Sequence, residues 1–287
     1  KDTAANQLEA ILYSGTAASD RGGYQIINAG VGGYSTNHEL AVFRESLAFS
    51  PDFVTVGLCL NDITDLADID NQPFAPTHRS AWLLPSHLAG YLAHETGFSR
   101  LTSWALASTK SIEQRRSSQA HLLREMAYAP HDPQYESGLK SVLENLEAIY
   151  LLARDRGIDV VLLIYPFVSQ LFAVELQKPQ QIFLEHARAH GVDAIDLTSV
   201  FEELIRSDVA EIMATLEQRE PLSSDDVELL SEFQSKRYYL DEVHPTALGN
   251  RAIAGILARY MHEKGLVQLD FPSVLRDQRR ALSQNPG

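Results

Sequence analysis

The sequence has 287 residues, 45% of them hydrophobic and 22% charged, an ordinary globular composition that fits one large α/β domain or two small ones. Lys and Arg total 24 against 38 Asp and Glu, a formal net charge of -14, and so acidic a surface repels phosphate backbones, which argues against nucleic acid as a partner. A single cysteine, Cys59, excludes an internal disulfide framework and a multi-Cys zinc site, and no apolar run approaches the roughly 20 residues that span a bilayer.

In chain order, Asp2 or Thr3 can cap a first helix on which Leu8, Ile11 and Leu12 recur at helical spacing. Ser14 to Gly23 reads as a polar, Gly-rich loop, and Tyr24-Gln25-Ile26-Ile27 as a short buried strand running into Asn28-Ala29-Gly30-Val31-Gly32-Gly33. Ser35, Thr36 or Asn37 caps the next helix, with Leu40, Phe43 and Leu47 on one face. Phe53 to Leu58 is a second buried strand, ending at Cys59-Leu60-Asn61-Asp62. Residues 64–135 read as a helical insertion within a single domain covering 1–287. Leu139, Val142, Leu143, Leu146, Ile149, Tyr150 and Ala153 keep the 3.6-residue period up to Gly157. Val160 to Tyr165 is an apolar strand closed by Pro166. A helix near Gln180 to His190 stops at Gly191, and Val192 to Ile195 is a further short strand. After a charged helical segment, Tyr238-Tyr239-Leu240 leads to Asp241-Glu242-Val243-His244-Pro245. The last helix carries Ala252, Ile253, Ile256, Leu257 and Tyr260, with Lys264 and Gly265 at its end.

Apolar strands alternating with amphipathic helices predict a parallel sheet covered on both faces, with ligands bound beyond the carboxyl ends of the strands. Three polar clusters fall at such ends or just before the last helix: around Gly33, at Asn61 and at His244. No internal repeat or low-complexity segment interrupts this order.

These clusters, in this order, resemble the sequence blocks of the SGNH (GDSL-type) hydrolases. Asn28 to Gly33 is similar to the second block, whose last Gly offers a backbone N–H to the oxyanion hole. Cys59-Leu60-Asn61-Asp62 is similar to the third, whose Asn side chain is another oxyanion donor, although the family usually has Gly where Cys59 stands. Asp241 to Pro245 matches the fifth, in which Asp and His are catalytic partners. The resemblance covers nearly the whole chain. It implies a three-layer α/β/α, flavodoxin-like fold and a serine-type ester hydrolase needing no metal or organic cofactor. His244 is then the base, Asp241 its orienting carboxylate, and Gly33 and Asn61 the oxyanion donors.

The family's nucleophile sits on a Gly-Asp-Ser-type turn after a first strand, and no such turn occurs here. Ser14-Gly15-Thr16 follows a helix, and Ser35 lies beyond the glycines. The chain also opens on Lys1-Asp2-Thr3 inside a helical pattern, so the expectation is a piece that begins after the first strand and the nucleophile. An extracytoplasmic or membrane-anchored location through such an upstream segment is expected with it. The substrate implied is a small-molecule or carbohydrate ester. The alternatives are an O-acyltransferase acting on carbohydrate and a non-catalytic binding domain of the same fold.

The residue types suit the chemistry. Histidine titrates near neutrality and can take a serine proton, and a carboxylate three residues earlier can fix its tautomer and stabilise the imidazolium. Plainer roles stand beside these. Gly33 can serve a tight turn through positive φ, Asn61 an Asx-turn or cap, Asp241 a helix cap, and His244 is one of 10 histidines. Asp62 and Asn28 read as structural. His186 and His190 have the i, i+4 spacing of a zinc helix without its Glu. Asp65, Asp68 and Asp70 lack the Gly and Glu of a calcium loop. Gly30, Gly32 and Gly33 do not form a dinucleotide fingerprint, and Cys59 reads as a small buried residue.

Overall fold

The computed structural model describes residues 3–15, 24–31, 33–63, 133–216, 235–240 and 243–270. Three parallel strands, β1 (Phe53–Cys59), β2 (Asp159–Tyr165) and β3 (Asp193–Asp196), pair in the order β1-β2-β3. Phe53 stands opposite Asp159 and Cys59 opposite Tyr165, while Val161 to Ile164 align with Asp193 to Asp196. β2 is the central strand, and its Val161, Leu162, Leu163 and Ile164 are buried on both faces. That is why this stretch is continuously apolar where a half-covered strand would alternate.

Strand alternation divides the core in two. Val56, Leu58, Leu162 and Ile164 face α2 (Thr36–Ser46), α3 (Pro133–Arg156) and α4 (Lys178–Ala189), whose Phe43, Leu146, Ile149 and Phe183 seal that side. Val161 and Leu163 face α1 (Ala4–Gly15), α5 (Leu197–Leu216) and α6 (Ala247–Glu263), with Leu12, Phe201, Ile253 and Leu257. Each such fully buried side chain contributes about 1.5–3 kcal/mol, so the two apolar layers fix where the helices lie. The result is a three-layer α/β/α arrangement.

Local chemistry sets the ends of the elements. The Thr3 hydroxyl accepts the Asn6 N–H at 3.3 Å, and Asp196 Oδ1 accepts the Thr198 N–H at 2.9 Å, each capping the helix that follows. Gly157 at φ 68 and Gly191 at φ 70 end α3 and α4 in the left-handed conformation that glycine adopts freely. Val192 N–H then bonds back to the Ala187 carbonyl at 2.9 Å and turns the chain into β3.

The expected strand at Tyr24-Ile27 is not found. Residues 24–31 lie outside regular structure; Ile27 is 48% exposed, and Ile26 alone of the four packs against the core. Apolar, β-prone residues form a strand only beside a hydrogen-bonding neighbour, and among the described residues nothing pairs with this segment. Ser14 and Gly15, expected in a loop, belong to α1, where the Ser14 hydroxyl bonds the Ile11 carbonyl at 3.1 Å. Residues 64–132 of the expected insertion lie outside the described residues, and 133–135 begin α3.

Candidate active site

Of the expected site residues, Asn61 follows the carboxyl end of β1, and Gly33 and His244 lie on the loops before α2 and α6. Gly33 precedes α2, is exposed, and has φ 81; a Cβ there would meet nothing within 4 Å. Backbone conformation, not crowding, is therefore what requires glycine at this position. Asn28 shapes the preceding loop, accepting the Gly30 N–H at 3.2 Å in an Asx-turn.

Ser35 begins α2 in extended conformation, and its hydroxyl donates to Asn37 Oδ1 at 2.7 Å and lies 3.3 Å from His38 Nδ1. Tyr34 stacks on the His38 ring at 4.9 Å. Although serine and histidine meet here, Ser35 is 2% exposed and its proton is engaged, so it serves the helix start and does not face a substrate.

β1 ends at Cys59, and Leu60 carries the chain directly into a helical turn starting at Asn61. Leu60 and Ile63 are fully buried and anchor this turn, leaving Asn61 half-buried between them. Asp62 accepts the Cys59 N–H at 3.3 Å, which makes it a brace of the loop.

His244 is exposed on a loop pinned by its neighbours' backbone. Leu240 N–H bonds the His244 carbonyl at 2.7 Å, Tyr239 and Pro245 form an antiparallel bridge, and Thr246 N–H bonds the Tyr238 carbonyl at 2.8 Å. Thr246 then caps α6 by accepting the Gly249 N–H at 3.2 Å. A Cβ on Gly249 would lie 2.4 Å from the Tyr238 carbonyl oxygen, so only glycine lets α6 close against this segment. Asp241 lies outside the described residues.

Electrostatics tie these pieces together. Burial pushes the Tyr165 phenol at the end of β2 up to about 12, with Cys59 and Glu39 adding to the shift. Burial also raises Tyr239 well above the tyrosine range, helped by Cys59, Tyr165 and Asp196. The ends of β1, β2 and β3, the first turn of α2 and the loop before α6 therefore approach one another.

Glu39, in that first turn, was not singled out in the sequence. A carboxylate there ordinarily reads as a partner of the helix dipole. Its Oε2 is buried without a hydrogen-bond partner among the described residues, and burial raises its pKa from 4.5 to about 7. The folded protein thus holds this proton between pH 4.5 and about 7 while the unfolded chain releases it. Glu39's contribution is therefore most favourable below pH 4.5 and declines as pH rises to about 7. Glu39→Gln is expected to raise stability at pH 8 by up to about 3 kcal/mol, with little effect at pH 4. Urea unfolding at both pH values checks this; an equal difference at both would contradict it.

Away from this edge, His186 and His190 face each other with ring centroids 4.4 Å apart, and Tyr150 packs on both. His190 Nδ1 donates to the His186 carbonyl at 2.8 Å, and its Nε2 lies 3.4 Å from Glu147. Burial and then His190 lower the His186 pKa. The pair joins α3 to α4. Among the described residues, no group of three or more His, Cys, Asp or Glu could hold a metal ion. Asp65, Asp68 and Asp70 lie outside them.

No match was found among curated proteins or among solved structures. The profile of the GDSL-like Lipase/Acylhydrolase family matches residues 6–252, running from α1 through the Gly33, Asn61 and His244 segments into α6. The chain belongs to the GDSL-like Lipase/Acylhydrolase family.

Proposed function

We propose that the chain is the greater part of a serine-type ester hydrolase working through an acyl-serine. His244 is the general base, Asp241 orients it, and the Gly33 N–H and the Asn61 amide receive the oxyanion. In this reading the nucleophilic serine is not among residues 1–287, because no Gly-Asp-Ser-type turn occurs in them; Ser14 is bonded into α1, and Ser35 is a buried helix start. The observation that carries the reading is the family match, which spans the glycine, asparagine and histidine segments in order. The convergence of the surrounding loops at one sheet edge supports it.

In the reaction, His244 takes the serine proton as the hydroxyl attacks the ester carbonyl. The C–O bond to the alcohol breaks after His244 returns the proton to that oxygen. Water, activated by the same histidine, then attacks the acyl-serine and releases the acid. The two donors stabilise the negative oxygen in both halves. Full-length protein is expected to hydrolyse 4-nitrophenyl acetate to acetate and nitrophenol. Acyl transfer to an added sugar in preference to water would favour an O-acyltransferase, and no turnover of any short-chain ester would overturn the reading.

A further inference from the structure

We propose that α3 is the backstop of the oxyanion hole, with Gly138 as the positioning residue that holds Asn61 in place. This rests on the reading of Asn61 as an oxyanion donor.

Gly138 lies in the second turn of α3, where the helix abuts the turn carrying Asn61. A Cβ on Gly138 would stand 2.0 Å from the Ile63 carbonyl oxygen and 3.0 Å from its carbonyl carbon. Both are backbone atoms, which cannot swing aside as a side chain can. The contact closes only because residue 138 is glycine, and glycine inside a helix costs about 0.5–1 kcal/mol relative to alanine. Ile63 is two residues from Asn61, so the helix surface fixes the turn from behind.

A methyl group at 138 must displace either the helix or the turn. Val142, Leu146 and Ile149, all fully buried, hold the helix over its next three turns. The turn is closed by bonds from Cys59 N–H to Asp62 and from Ile63 N–H to the Leu60 carbonyl, both 3.3 Å, with Leu60 and Ile63 buried beneath it. The turn is a single helical turn set against the 24 residues of α3, so the smaller adjustment is a shift of the turn, which carries Asn61 with it.

The same helix reaches the other donor. Asn145 Nδ2 donates to Thr36 Oγ1 at 3.3 Å, and Thr36 is fully buried three residues after Gly33. α3 thus bears on both halves of the hole at once.

The test uses full-length protein and 4-nitrophenyl acetate. Gly138→Ala is expected to lower kcat by about 10²-fold with KM little changed, the cost of roughly 1 Å of misplacement. In an Asn61→Ala background the same substitution is expected to do nothing further, because its route of action is gone. Equal losses in both backgrounds overturn the proposal. Asn145→Ala, which introduces no clash, is the second variant, expected to lower kcat about 3–10-fold through its hydrogen bond to Thr36. Unchanged kcat there overturns the backstop role even if Gly138→Ala fails to fold. If wild type turns over no ester, the proposed reaction falls, and crystal structures of wild type and Gly138→Ala decide the positioning role. A displacement of Asn61 by about 1 Å upholds it, and an unmoved Asn61 overturns it.

Discussion

Replacing His244 by alanine in full-length protein is expected to lower kcat for ester hydrolysis by about 10⁶-fold, the usual cost of removing the base of a serine hydrolase. The fold should survive, because the bonds that shape the loop belong to the backbone: the Leu240 N–H to the His244 carbonyl, the Tyr239–Pro245 bridge and the Thr246 cap. A melting temperature close to wild type, with activity gone, is the expected pair of results. Asp241→Asn should do less harm, since the histidine is retained and only its tautomer and the imidazolium lose support. Near-normal turnover by His244→Ala would remove this residue from the mechanism.

The second large effect is expected at Asn61. Asn61→Ala should lower kcat by about 10²–10³ and change KM little, because a hydrogen bond to the carbonyl oxygen strengthens as charge develops there. Leu60 and Ile63 stay buried and Asp62 keeps its bond to Cys59, so the turn itself should persist. If KM alone rises, Asn61 holds the ground-state substrate or braces the loop, and the oxyanion meets other donors.

The sheet was legible where a segment's apolar character matches its final neighbours. Val160 to Tyr165 reads as a buried strand and is the central one; Gly157 and Gly191 read as helix stops and take positive φ. Tyr24 to Ile27 has the same local character and forms no strand, because pairing depends on a partner that local pattern does not reveal. The segments of the proposed site were legible as three short clusters in order, since each needs particular residue types. Glu39 and Gly138 were not. A glutamate in a first helical turn and a glycine in an amphipathic helix look ordinary until tertiary packing buries the one and brings the Ile63 carbonyl against the other.

The most direct measurement is reaction of full-length protein with a fluorophosphonate, followed by peptide mapping. The account predicts stoichiometric labelling of one serine outside residues 1–287, nearly abolished by His244→Ala. Stoichiometric labelling of a serine within residues 1–287, or labelling that does not depend on His244, would contradict it.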